Sequence, residues 1–153
     1  MAEKINWLKL SLTPGLGNKT LVKIYQQCPA LDLSNKEISQ KFKIKISASE
    51  NIDSLVSKEL KLIEKYNIKL ITIDDEIYPS HLKEIDNPPC ILYVLGNIEC
   101  LTQDSIAIVG TRFASSYAMT SAEMLAKGLA KKGICINSGL ARGVDTCAHK
   151  GAL

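Results

Sequence analysis

The chain has 153 residues, enough to bury roughly 70% of the surface its unfolded form exposes, so size alone demands neither a disulfide nor a metal. It is 46% apolar and 23% charged with a net charge of +3, a soluble globular composition in which no apolar run approaches a membrane span. The opening MAEKINWLKL lacks a secretory signal pattern, and the five cysteines, odd in number and without C-x-x-C, fit free, mostly buried thiols in a reducing compartment. A cytoplasmic protein is expected. In chain order, Ile5, Leu8 and Leu12 share a helical face before Thr13-Pro14-Gly15, and Leu21, Ile24 and Tyr25 resume the period. Ser34 with Glu37 forms a capping box ahead of Ile38 and Phe42. A fourth helix carries Leu55, Val56, Leu60, Ile63 and Tyr66, with Asn67 suited to a left-handed end.

After Asn67 the pattern changes. Leu70-Ile71-Thr72-Ile73 is short, β-branched and closed by Asp74-Asp75, so it predicts a strand and places a domain boundary between residues 66 and 67. Ile91-Leu92-Tyr93-Val94-Leu95, ended by Gly96-Asn97, predicts a second strand. Ile106-Ala107-Ile108-Val109 is wholly apolar, the pattern of a parallel strand buried on both faces. Ala118, Ala122, Leu125, Ala126 and Leu129 then keep helical spacing up to Gly133, and Ile134-Cys135-Ile136 predicts the next strand. The result is a βαβ unit, expected right-handed. The fold class expected is α/β: a partial Rossmann-like parallel sheet over residues 67–153, preceded by a small all-α domain over residues 1–66. Sheets of this type normally have more strands, so the stretch looks like the front part of a larger domain with an apolar edge and face left uncovered.

Two loops fall at the carboxyl ends of the parallel strands, where doubly wound sheets bind ligands: Val109-Gly110-Thr111-Arg112 and Ser138-Gly139-Leu140-Ala141-Arg142-Gly143-Val144-Asp145. Glycine lets backbone N–H groups approach an anion, a following helix N-terminus favours negative charge, and arginine adds a fork that matches phosphate. The candidate phosphate-binding residues are therefore Gly110, Thr111, Arg112, Ser138, Gly139, Arg142 and Gly143. The bland alternative is that the glycines only shape turns and the arginines are solvated. From Ser105 onward six basic residues (Arg112, Lys127, Lys131, Lys132, Arg142, Lys150) face two acidic ones (Glu123, Asp145), a net +4 that leaves −1 for the rest. An anionic partner fits that asymmetry, although a solvated helix face carrying three of the lysines explains half of it.

Cofactor loops are not matched. A dinucleotide fingerprint would need glycine where Arg112 and Ser115 stand, and a P-loop would need Gly-Lys-Ser/Thr, so no cofactor is expected. Ser138, Asp145 and His149 follow the chain order of a hydrolase triad but lack the G-x-S-x-G elbow, and Asp145 with His149 at i, i+4 is better explained as a helix-face pair. Cys147 and His149 do not share a helix face, so a metal site is not expected. Leu12-Thr13-Pro14-Gly15-Leu16-Gly17 fits either a phosphate-holding helix-hairpin-helix turn or a plain interhelical turn. Phe113 and Tyr117 are the only aromatic residues well placed beside the arginine loop.

The order Tyr78-Pro79, Leu82, Pro88-Pro89, Leu92-Tyr93, Gly96-Asn97, Ile108-Val109-Gly110-Thr111-Arg112, Ser138-Gly139-Leu140-Ala141-Arg142-Gly143-Val144-Asp145, Ala148-His149 and Gly151-Ala152-Leu153 closely resembles the DprA family, also called Smf. Residues 1–66 resemble, more weakly, that family's N-terminal sterile-alpha-motif-like domain. Ala118 stands where the family usually has glycine, and the rest of the family's domain, with further DNA-contacting lysines and a dimerisation surface, does not follow within this sequence. The resemblance implies a non-catalytic protein that binds single-stranded DNA and loads the RecA recombinase during natural transformation, with a homodimer in the complete protein. A rival resemblance is to Rossmann-like phosphoribohydrolases of the lysine-decarboxylase-like family, which act on nucleoside monophosphates. Those enzymes need a Pro-Gly-Gly-x-Gly-Thr-x-x-Glu segment, which does not occur in these residues.

Overall fold

The structure, a computed structural model, describes residues 2–27, 35–43 and 51–153. The chain divides into two compact units, Met1–Leu101 and Thr102–Leu153. The expected mixed α/β class is what the structure contains, with helices alternating with short strands in the second unit. No described helix is long and apolar enough to cross a membrane.

In the first unit four helices precede a two-stranded sheet: α1 (Ala2–Leu12), α2 (Asn18–Gln27), α3 (Asn35–Phe42) and α4 (Ile52–Lys65), then β1 (Lys69–Thr72), the short α5 (Ser80–Lys83), β2 (Ile91–Val94) and a 3-10 turn at Ile98–Leu101. The capping residue expected at Ser34 lies outside the described residues, as does Cys28. Asn67 takes the left-handed conformation (φ 51°) anticipated for it, and the Ile68 N–H reaches back to the Ile63 carbonyl at 2.9 Å, closing α4. β1 and β2 are antiparallel, with Lys69 opposite Val94 and Thr72 opposite Ile91.

The change of pattern at Asn67 is not where the packing divides. Ile71 and Ile73 turn inward and join Trp7, Leu21, Ile24 and Ile38 in a single buried cluster, so the first sheet completes the helical core. A small helical unit gains apolar burial by accepting such a sheet face. The two are also stitched by polar bonds. Trp7 Nε1–H donates to Asp74 Oδ2 at 2.9 Å, and the Asn18 side-chain amide donates to the Pro88 carbonyl at 2.9 Å while its oxygen accepts from Cys90 N–H at 3.3 Å. Cys90 is buried, and that burial, with Asp74 adding to it, pushes its thiol up to about 12. Cys135 and Cys147 are only half-buried and Cys100 is exposed, so the expectation of mostly buried thiols holds fully at Cys90 alone among the described cysteines.

The second unit is a βαβ arrangement followed by a helix: β3 (Ser105–Ala107), α6 (Ser116–Ala130), β4 (Cys135–Asn137) and α7 (Val144–Ala152). β3 and β4 are parallel, with Ile106 opposite Ile136. Ser115 caps α6 by accepting the Ala118 N–H at 3.3 Å, so alanine at position 118 leaves the helix start intact. Gly133 at φ 79° ends the segment, with Ile134 N–H returning to the Leu129 carbonyl. α6 and α7 pack through Ala122, Ala126, Ala148 and Gly151, all buried. Gly151 is needed there because a Cβ would overlap the Glu123 carbonyl of α6.

β3 has the apolar pattern of a strand buried on both faces, yet all three of its residues are exposed, Ile106 by 41%, with Val109 beyond it at 67%, the uncovered apolar face expected of so short a sheet. Only β4 pairs with it among the described residues, and α6 and α7 bury their small residues against each other. Apolar composition marked the strand, but burial requires neighbours that composition does not supply.

Candidate nucleic-acid interface

The two glycine loops leave the carboxyl ends of adjacent parallel strands, so the βαβ topology alone brings residues 110 and 139 together. What fixes their relative position is Asp145, in the first turn of α7. Its side chain is buried, and its two carboxylate oxygens accept one backbone N–H from each loop: Gly110 N–H to Oδ1 at 3.2 Å and Gly139 N–H to Oδ2 at 3.1 Å. A buried carboxylate requires such donors, and charge-assisted bonds of this kind are the stronger ones. Among the described residues it is the one side chain that bonds to both loops.

Further contacts tighten the same junction. Val144 N–H donates to the Thr111 carbonyl at 3.3 Å, Ser138 Oγ–H to the Ile108 carbonyl at 2.7 Å, and Thr146 Oγ1–H to the Ala141 carbonyl at 2.6 Å. Gly143 (φ 82°) lies so close to the Thr111 and Arg112 carbonyls that a Cβ would clash with them. Gly110 in turn packs on the Val144 side chain, which a Cβ there would meet at 2.7 Å. Gly143 is thus required by close backbone approach between the loops, whereas a side chain at Gly110 would have to displace that of Val144.

The predicted site residues sort into two groups. Arg112 and Arg142, thirty positions apart in sequence, line one open cleft of about 310 Å³ together with Phe113 and Ala141. Neither guanidinium forms an ion pair among the described residues. Thr111 Oγ1 accepts from Phe113 N–H at 3.2 Å and keeps its own proton available for an acceptor. The other group faces inward. The N–H groups of Gly110 and Gly139, expected to point at an anion, donate to Asp145, and the Ser138 hydroxyl proton is committed to Ile108. Sequence inspection gave Asp145 a helix-face pairing with His149 and missed this role. Its position two residues after Gly143, at the start of a helix, was the available signal.

The hydrogen bonds do not form a hydrolase relay. Ser138 bonds to Ile108, both Asp145 oxygens bond to glycines, and His149 Nε2 is buried without a hydrogen-bond partner. The geometry provides two guanidiniums on one cleft, neither in an ion pair among the described residues, and the Thr111 hydroxyl in the adjoining loop, which suits holding an anion.

Residues 69–153 match the family model for DNA recombination-mediator protein A. The chain belongs to the DprA/Smf family. It is 30% identical over 151 residues to Protein Smf of Escherichia coli (strain K12), covering 96% of this chain and 40% of that protein. With DNA processing protein DprA of Bacillus subtilis (strain 168) it shares 31% identity over 149 residues, covering 93% and 49%. The chain therefore spans less than half the length of these relatives. Its fold matches the X-ray structure of DprA from Streptococcus pneumoniae with a TM-score of 0.72 at 28% identity, over 97% of this chain and 53% of that one. A DprA from Helicobacter pylori, whose structure concerns its single-stranded DNA binding mode, matches with a TM-score of 0.50 at 35% identity, over 57% and 40%. The DprA family match spans both glycine loops and Asp145.

Proposed function

We propose that this DprA-family chain binds single-stranded DNA through the cleft between its two loops, without catalysis, and serves to load the RecA recombinase during natural transformation. The observation that carries this reading is the convergence of Arg112 and Arg142 on one cleft, with no acidic partner among the described residues taking up either charge. Arg112, Arg142 and the Thr111 hydroxyl contact phosphate directly. Gly110, Ser138, Gly139 and Gly143 serve the same site by holding the loops at close approach. The single-strand binding of the Helicobacter pylori relative supports the choice of ligand, and the family's designation as a recombination mediator supports the hand-over to RecA. A homodimer of the complete protein and a cytoplasmic location belong to the same reading. So does a functional boundary near residue 67, supported by the start of the family match at residue 69 and distinct from the packing division after Leu101.

Filter binding to single-stranded and duplex DNA over a range of salt tests the proposal. Single-stranded DNA should bind more tightly, and Arg112→Ala should reduce the steepness of log K against log salt by about 0.7, the contribution of one phosphate contact. Arg112→Lys should recover part of the affinity, because a point charge lacks the guanidinium fork. Lys127, exposed on α6, gives the matched charge control. Equal losses for Lys127→Ala and Arg112→Ala would mean diffuse attraction and no loop site. Absence of catalysis is checked with AMP, from which no adenine should be released, since the one carboxylate in the loops has both oxygens engaged by backbone N–H groups. Steady release of adenine, abolished by Asp145→Asn, would point to the phosphoribohydrolase chemistry instead.

A further inference from the structure

Phosphate contacts alone do not distinguish one strand from two, because both present the same backbone charge. The cleft holds a second kind of surface. Phe113 is 96% exposed, yet its position in the loop is set: its N–H is held by Thr111 Oγ1 at 3.2 Å, and the preceding carbonyl of Arg112 is pressed against Gly143. Its ring shares the cleft with Arg112 and Arg142 and packs into no core. On the facing loop Leu140 is 80% exposed and held at φ 57°, a conformation that costs a leucine strain and that persists only where the surrounding loop imposes it. Each loop therefore presents an arginine beside an exposed apolar side chain.

The occupant has to satisfy both features within one cleft of about 310 Å³. It must bring negative charge to the guanidiniums and a flat apolar face to the ring. The chemistry that joins these in one cleft is a nucleotide with its base unstacked, and the +4 charge of the segment from Ser105 onward favours a polyanion over an acidic peptide with scattered charge. Resting on the single-strand reading above, we propose that Phe113 is a base-stacking residue: one nucleobase of the bound strand lies on its ring while the adjoining phosphates lie on Arg112 and Arg142. Duplex bases are already stacked and paired, so the ring confers preference for single strands, which the arginines by themselves do not.

The test is fluorescence anisotropy of the full chain with a short labelled oligothymidylate, an abasic oligomer of the same length, and a duplex. Wild-type protein should bind the oligothymidylate about tenfold more tightly than the abasic strand. Phe113→Ala should lose about that factor on the oligothymidylate, with affinity for the abasic strand and the duplex, and the salt slope, unchanged. Phe113→Trp should retain binding and Phe113→Leu should not, because leucine supplies apolar area without a π face. The residue is exposed, so these variants keep the fold. Rescue by leucine, or an equal loss in Tyr117→Ala, whose exposed ring lies outside the cleft lining, would overturn the assignment. Equal wild-type affinity for the abasic and normal strands, with the Arg112 slope change intact, would remove the stacking role and leave the phosphate site standing. Failure to bind either strand would remove both.

Discussion

Trp7→Ala should destabilise the Met1–Leu101 unit by about 3–5 kcal/mol, the largest single loss expected in this protein. Trp7 is fully buried, packs against Tyr25 with ring centroids 6.1 Å apart, and donates its indole N–H to Asp74 beyond the end of β1. Truncation removes that apolar volume and the bond joining α1 to the sheet, and a site enclosed by both helices and strands collapses only in part. Trp7→Phe separates the contributions. It keeps most of the apolar area, and because Asp74 is exposed and regains water, the lost hydrogen bond should cost only about 1 kcal/mol. Urea denaturation followed by far-UV circular dichroism measures both. A loss below 1 kcal/mol for the alanine variant would mean that β1 and β2 do not share the helical core.

Asp145→Ala should cost the Thr102–Leu153 unit about 2–4 kcal/mol and abolish most of the single-strand binding proposed for it. The carboxylate satisfies one N–H from each loop, and leaving a donor without its acceptor costs about 1–3 kcal/mol apiece, toward the lower end here because both glycines reach the surface. Asp145→Asn fits the same volume but offers one acceptor oxygen, so one loop stays anchored and about half of the loss should remain. Amide hydrogen exchange at Gly110 and Gly139 provides a local readout. Both should exchange faster in the alanine variant, one of them in the asparagine variant, and neither change should appear in Arg112→Ala. Wild-type protection of both glycines in Asp145→Ala would show that the strands alone hold the loops.

Helices, strands and their order were legible because each rests on short-range chemistry: the 3.6 period of α1, α2 and α4, the left-handed Asn67, the β-branched run of β1, and Gly133 after α6. The burial of those elements was not. Ile71 and Ile73 joined the core of Trp7, whereas the equally apolar β3 stayed exposed, since which surface covers a strand depends on partners distant in sequence. The same division runs through the candidate site.

The arginines and glycines of the two loops were visible as residue types suited to phosphate, and topology placed them at strand ends. Their roles were decided in three dimensions. Gly110 and Gly139 donate inward to a buried Asp145, and Gly143 is required by the carbonyls of Thr111 and Arg112, distant in sequence. The sequence by itself determined the elements, the family motifs and the chemistry available at the loops, because those depend on local propensity and side-chain type. Only the tertiary structure decided which donors remain free for a ligand, because a hydrogen bond is committed by whichever partner the fold brings within about 3 Å of it.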